Sequence, residues 1–593
     1  MVKTVSEGTW LVEETTSLTQ LIIAEGASLA APEGKGLTLT VDGISREIKP
    51  GYYTGDVVIT VADFYVMPPA GLFANLGIYT DMRTAICVED GKLSTEKCVP
   101  AIVRGGTFTD TGADDILIEG TDEAFNGILV TGDSAYTVNN AKIHLDGDGG
   151  NDFIGFGAAI LAMGKSQLTI NDSEVILHGV TRCTLHIGGE SVVTVNNSTL
   201  INDSGTTTKM RAAWVLGLDG TNRNSQLTDS GTVVYNNCYL KGNGWGVQSI
   251  DGGDNCHMTF KDCKIELSGP RARGYGIFAI GDCKAIFDHC EFDVYGYPVL
   301  MNTENHSYVE VGNGSVIKGG MHAAMIFRDA EGVLKISDST VATGRACFLV
   351  KGSATTINIS NSAVSAANGI ILQVIDNDDP GMMRNGFVPP HGEVDVADPD
   401  RDLAASDVKY DVIMTMDNMD ITGDFLNSST NIRANCRDVE GDGPNGHTGV
   451  LEGISVDELA EKTPEMIAQE EYIEVLQGAH NIDLTFTNTK ITGRLSSATQ
   501  AYRADVTFID AKNFEELSNV TQTVAPTVNN GVIVKLCAGS VWTVPDTCYL
   551  TKLVIDDTSS VVAPAGKTLT ATVDGAPVAL TGTITGKIAI TVA

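Results

Sequence analysis

A short phrase recurs along the middle of the chain: apolar residues alternating with polar ones, then Asn or Asp, then a small residue. It reads LTINDS ending at Ser173, VTVNNS at Ser198, VVYNNC at Cys238, MTFKDC at Cys263 and AIFDHC at Cys290. It continues as VEVGNGS at Ser315, LKISDS at Ser339 and INISNS at Ser362, with weaker copies at Met419 and Thr489. Successive small residues lie 25, 40, 25, 27, 25, 24, 23, 57 and 70 positions apart. The alternation has the period of a strand, and no helical period competes with it. A step of about 24 residues is that of one solenoid turn. Leucine-rich repeats share the length but need a Leu/Asn frame that is missing. The pattern therefore predicts an all-β, right-handed parallel β-helix of about 24 residues per turn, with three short strands in each turn.

Stacked turns place equivalent bends in columns. Asp172, Asn197, Asn237, Asp262, Asp338, Asn361, Asn418 and Asn488 form one such column, interrupted by His289 and Gly314. Asn and Asp tolerate the left-handed conformation that a tight bend needs. In this frame Asp288-His289 is a bend and not a carboxylate–imidazole pair. Cys238, Cys263 and Cys290 fall where other turns carry Ser, which predicts a reduced internal ladder.

A second, longer repeat marks the ends. Gly8–Gly43 and Gly539–Gly575 share a Trp (Trp10, Trp542), an AP-x-GK-x-LT run and TVDG. Both are followed by an apolar strand, VVITVA or IAITVA. Three domains follow: a capping module over 1–65, a β-helix over 66–510 and a related module over 511–593. A solenoid exposes strand edges at its ends, so closing the stack is the expected role of the modules. Carbohydrate or cell-wall binding is the alternative.

The rhythm breaks where the spacing reaches 40, 57 and 70, which predicts insertions near 206–232, 376–410 and 431–478. The last is expected to hold a helix, with Ser455 and Glu458 as a capping box and Pro464 opening a second turn before Gly478. Insertions of this kind commonly build the binding face of a solenoid.

One strand precedes each phrase, as in AAWVLGL, WGVQSI, YGIFAI, YPVLMN, HAAMIFR and RACFLVK. One alternation (Gly276-Phe278-Ile280, Ala323-Met325-Phe327, Ala346-Phe348-Val350) is assigned inward. The other is assigned outward: Arg182-Thr184-His186, Trp245-Val247-Ser249-Asp251, Tyr275-Ile277-Ala279, Tyr297-Val299-Met301, His322-Ala324-Ile326-Arg328 and Arg345-Cys347-Leu349-Lys351. An exposed apolar column of this length needs a cover, from the insertions, a neighbouring subunit or a ligand. Aromatic faces stack on sugar rings, and Arg or Lys bind carboxylates. The expected substrate-binding residues are His186, Trp245, Asp251, Tyr275, Tyr297, Arg328, Arg384, His391 and His447. The expected catalytic set is His322, Arg345, Lys351 and a carboxylate from Asp376, Asp378 or Asp379. Those acids equally suit solvated loops or calcium.

Charge narrows the partners. The chain has 39 Lys and Arg against 75 Asp and Glu, a formal net charge of −36. Such a surface repels nucleic acid and anionic lipid, and a polyanionic substrate then requires a local basic patch. No apolar run is long enough to cross a membrane. The opening residues MVKTVSEGTWLVEE carry no signal-peptide core, so the chain reads as cytoplasmic unless a leader was trimmed. Twelve Cys contain no CxxC pair, and neither a metal nor a cofactor is expected.

The stacked phrases over roughly 116–494 resemble the pectate-lyase-like β-helix superfamily in rhythm. Its active-site signatures are not reproduced: NTE at Asn302, DD at Asp378, GHT at Gly446 and PRAR at Pro270 are isolated fragments. The resemblance implies carbohydrate chemistry at fold level and assigns no catalytic residue. The expected function is an enzyme acting on a carbohydrate or similar oxygen-rich small molecule, as lyase, hydrolase or isomerase, in a lidded cleft. The alternative is a non-catalytic adhesin or tailspike-like binder. A homodimer or homotrimer burying the apolar column is compatible with either.

Overall fold

In a computed structural model, the described residues are 1–32, 35–41, 44–46, 48–63, 83–94, 98–99, 102–122, 125–149, 155–179, 182–203, 223–242, 246–268, 274–302, 306–327, 332–376, 402–429, 432–437, 472–477, 480–503 and 518–593. Among them there is no α-helix, and no helix is long and apolar enough to cross a membrane. The body is a parallel-strand solenoid compatible with a β-helix.

Each turn gives one strand to each of three faces. The first face runs through Leu185–Ile187, Arg223–Leu227, Tyr297–Asn302, Ala324–Phe327, Phe348–Lys351 and Ile370–Ile375. The second carries the repeated phrases: Thr169 pairs with Thr194, Thr194 with Val234 and Val234 with Thr259. The third holds the short strands after the bend, such as Glu174–His178 beside Thr199–Asn202.

The bends explain the Asn/Asp column. All eight predicted positions have positive φ, from 45° at Asn488 to 55° at Asn418. Side chains link neighbouring turns: Asn197 Nδ2 donates to Asp172 Oδ1 at 3.1 Å, and Asn237 Nδ2 donates to Asn197 Oδ1 at 3.1 Å. A second column one residue earlier adds Asn171, Asn196 and Asn236, linked at 2.8 Å. His289 belongs to the first ladder: its φ is 52°, and its Nδ1 lies 2.7 Å from Asp262 Oδ1. Asp288 instead accepts from Asn313 Nδ2 at 2.8 Å.

The interior is continuous through the stack. Tyr235, Phe260 and Phe287 occupy one register position on successive turns, with ring centroids 5.0 and 4.5 Å apart and nearly parallel planes. Identical backbone geometry repeats at the inter-strand spacing, so like side chains stack. Cys238, Cys263 and Cys290 are free and buried, and each sulfur donates to a backbone carbonyl two residues earlier. They make the local bond that Ser173 and Ser198 make in their turns.

The N-terminal module is a mixed sheet, with Val2–Val5 parallel to Thr16–Ile23 and the other strands antiparallel, and has its own small core around Leu21, Leu39 and Ile59. The C-terminal module continues the solenoid: Ile482 pairs with Val532, and Ile491 with Trp542. Two expectations need correction. Tyr472–Gln477, placed in the predicted helix, is a strand antiparallel to Ile432–Arg437. The first-face strand of the turn that carries VVYNNC is Arg223–Leu227, inside the predicted insertion, and not AAWVLGL, which lies outside the described residues.

Candidate functional site

Register fixes which side chains of the first face point outward. Phe278 pairs with Leu300, Leu300 with Met325, Met325 with Leu349 and Leu349 with Gln373. Leu300, Met325, Phe327, Leu349 and Ile375 form a cluster separate from the interior core, with Phe278 packed against it. Ile277, Ala279, Val299, Met301, Ala324 and Ile326 belong to the interior core. Tyr275, Tyr297 and His322 thus lie on the outer side as expected, and the assignment is inverted for the residues that follow them on their strands. It holds for Leu349 and Lys351, although Cys347 is also interior. The period of a strand is two, so a one-residue misreading at a corner flips every side chain after it. The corners here are tight: a Cβ on Gly319 would come within 2.4 Å of the His322 carbonyl oxygen.

That corner delivers His322 to the outer side. Its ring stacks on Tyr297 with centroids 5.8 Å apart and planes 7° apart. Its Nδ1 lies 2.8 Å from the Ala346 carbonyl oxygen, which makes Nδ1 the protonated nitrogen and leaves Nε2 as an acceptor. Nε2 is buried and makes no hydrogen bond among the described residues. Burial pushes the imidazole pKa down to about 3; the Ala346 bond opposes this, and the cations Arg345, Lys351 and Arg503 add to it. His322 is therefore neutral near pH 7, with the positive charge of Arg345, Lys351 and Arg503 around it.

The neighbours are held by the same turns. Arg345 N donates to Met321 O at 2.7 Å, and Lys351 lies between Phe327 and Ile375 in register, 1% exposed. Tyr275 pairs with Tyr297, and its ring meets Phe278 at 5.1 Å. Part of the cover is a hairpin in which Leu495–Tyr502 pairs with Val520–Val524. Tyr502 and Val520 pack on the outer cluster. Gln522 Nε2 donates to Val374 O at 3.0 Å and to Ser428 Oγ at 2.8 Å.

The structure thus brings together His322, Tyr297, Arg345 and Lys351, with Tyr275 on the adjoining strand. Asp376 follows the strand Ile370–Ile375 and is half-buried. His186 is buried in the same outward column but five strands away, roughly 24 Å at about 4.8 Å per strand. Arg182 is a structural residue, fully buried, and donates to the carbonyls of Gly147, Phe125, Gly157 and Asp122. Trp245, Arg328, Asp378, Asp379, Arg384, His391 and His447 lie outside the described residues, as does the side chain of Asp251. No group of acids, His or Cys among the described residues is placed to hold a metal.

Sequence reading missed Arg503, Tyr502, Val520 and Gln522. The available signal was one more ladder phrase, KLCAGS, ending at Ser540: Ser540 Oγ accepts from Thr489 N at 3.1 Å. Thr489 and Ser540 are 51 residues apart, so an insertion precedes this turn, and it contains the hairpin. No known protein family, curated protein or solved structure matches the chain.

Proposed function

We propose that the chain is a right-handed parallel β-helix with turns of about 24 residues, closed at its C-terminal end by the module after Gly531, in the manner of the pectate-lyase-like superfamily. It acts on an anionic, hydroxyl-rich small molecule, a carbohydrate acid in the simplest case, held between the outer first face and the paired strands Leu495–Tyr502 and Val520–Val524. The supporting observation is His322. A buried imidazole with an open acceptor nitrogen sits among Arg345, Lys351 and Arg503. A ligand hydroxyl would donate to Nε2, and a carboxylate would sit against the cations. Tyr297 backs the imidazole with its ring, and Tyr275 packs beside it on Phe278. Anion binding would offset the cations that lower the His322 pKa and move the ring toward accepting a proton, the role of a base in a lyase or isomerase.

A non-catalytic, adhesin-like binder is the second reading. It is favoured by a His322 pKa of about 3, far below the range of an efficient base at neutral pH. Calorimetry with galacturonate and galactose oligomers tests binding, and release of unsaturated or reducing ends tests turnover. The acidic sugar should bind and the neutral one should not. Arg345→Met should weaken binding about 10- to 100-fold, the loss of one charged hydrogen bond. Equal binding of both sugars, or of neither, would overturn the reading. Binding without turnover would select the adhesin.

A further inference from the structure

We infer that the N-terminal module carries a docking edge for the C-terminal coil of another parallel β-solenoid chain. The two end modules align without a gap from Val2 with Val534 to Gly43 with Gly575. Their strands pair alike. Thr9, Trp10 and Leu11 pair with Ser28, Leu29 and Ala30, as Val541, Trp542 and Thr543 pair with Ser560, Val561 and Val562. Thr16 pairs with Ile59 as Cys548 does with Ile590, and both ladders skip a residue at the same place, after Leu18 and after Leu550. Only the first strand differs, by one residue: Lys3 meets Leu21 where Lys535 meets Val554.

The twins differ in what lies on the far side of that first strand. In the C-terminal module, Val532–Cys537 and Val541–Thr543 receive the last solenoid turn, in parallel, from Ile482–Thr487 and Lys490–Thr492. Trp542 is fully buried there and donates from Nε1 to Gly493 O at 2.8 Å. In the N-terminal module, Val2–Val5 pairs with Thr16–Ile23 alone and Thr9–Leu11 with Ser28–Ala30 alone, among the described residues. Val2 and Leu11 are 59% and 48% exposed, and Lys3 Nζ lies over the Trp10 ring at 4.4 Å.

A strand edge with no partner is an aggregation hazard that proteins normally cover, and among the described residues nothing pairs with this one. The twin shows what this edge is shaped for: the outgoing side of a parallel coil, with Trp10 entering as Trp542 does. A second intact copy cannot supply that coil, because its own last turn is occupied by its C-terminal module. The occupant is therefore a solenoid whose last turn is bare.

The probe is this chain ended at Gly531 and carrying Leu11→Asp, which leaves the Ile482–Thr492 turn uncovered and keeps it from docking on copies of itself, mixed with the full chain and followed by sedimentation. The expected result is a one-to-one complex that is lost with Trp10→Ala or Leu11→Asp in the full-length partner. Leu11 is exposed, so its replacement leaves the module's core untouched. Absence of a complex, while amide exchange shows the shortened chain still protected over 412–427, would overturn the proposal. If the shortened chain does not fold, a full-length chain carrying residues 2–43 in place of 534–575 decides. Docking competence predicts that amides 482–492 stay as protected as in the parent. Loss of that protection refutes it.

Discussion

Protonating His322 should loosen the first face at mildly acidic pH. The group is fully buried, with a pKa of about 3 against 6.5 for a free imidazole. The folded value is lowered, so the unfolded chain binds the proton first. Stability from this residue is complete above pH 6.5 and falls as pH drops toward 3. Each unit in that window costs about 1.4 kcal/mol, or roughly 2 kcal/mol between pH 6.5 and 5. A solenoid opens locally, so the suitable assay is amide exchange at Val299–Met301 and Ala324–Phe327 between pH 7 and 5.5, corrected for intrinsic rates. His322→Phe removes the titration while keeping a flat ring against Tyr297. It also orphans the Ala346 carbonyl, which lowers protection at every pH by about 1–3 kcal/mol. The prediction concerns the slope: the parent loses protection as pH falls and the variant does not. Equal slopes would show that His322 is not held neutral by its surroundings, and the proposed site would lose its acceptor nitrogen.

Two further outcomes follow from the stack. Phe260→Ala removes the middle ring between Tyr235 and Phe287 and should cost about 3–5 kcal/mol. The loss should appear as faster exchange confined to the neighbouring turns, and uniform loss along the chain would contradict a locally cooperative solenoid. Asn197→Ala should cost about 1–2 kcal/mol in denaturant unfolding, because Ala tolerates φ 49° less well than Asn and makes no ladder bonds. Asn197→Gly should recover most of that, and equal costs would show that the side-chain ladder dominates the backbone conformation.

Much of the architecture was legible in one dimension. A parallel stack repeats its backbone at fixed spacing, so the residues a bend tolerates recur at fixed spacing too. That is why the Asn/Asp column, the Cys in Ser positions and the structural role of His289 could be read from the phrase alone. The duplicated end modules were legible for the same reason, since duplication preserves sequence. The Ser540 phrase departs from the pattern because its bend is made by Ala538, with φ 53°, and not by Asn or Asp.

The site was only half legible. Tyr297, His322, Arg345 and Lys351 were singled out as types, but which side of the sheet each turn presents depends on where the strand begins after a corner. Gly319 sets that start by letting the chain pass close to His322 O, and no periodicity within the strand records it. Arg503, Tyr502 and Gln522 reach the same face from a hairpin well over a hundred residues away, through contacts that leave no local pattern. Sequence by itself thus determined the repeat, the bends and the paired ends, because each is a local conformational preference multiplied along the axis. Tertiary structure alone decided which residues share the outer side of the first face and that His322 is neutral there, because burial and the field of neighbouring cations exist only once distant turns are stacked.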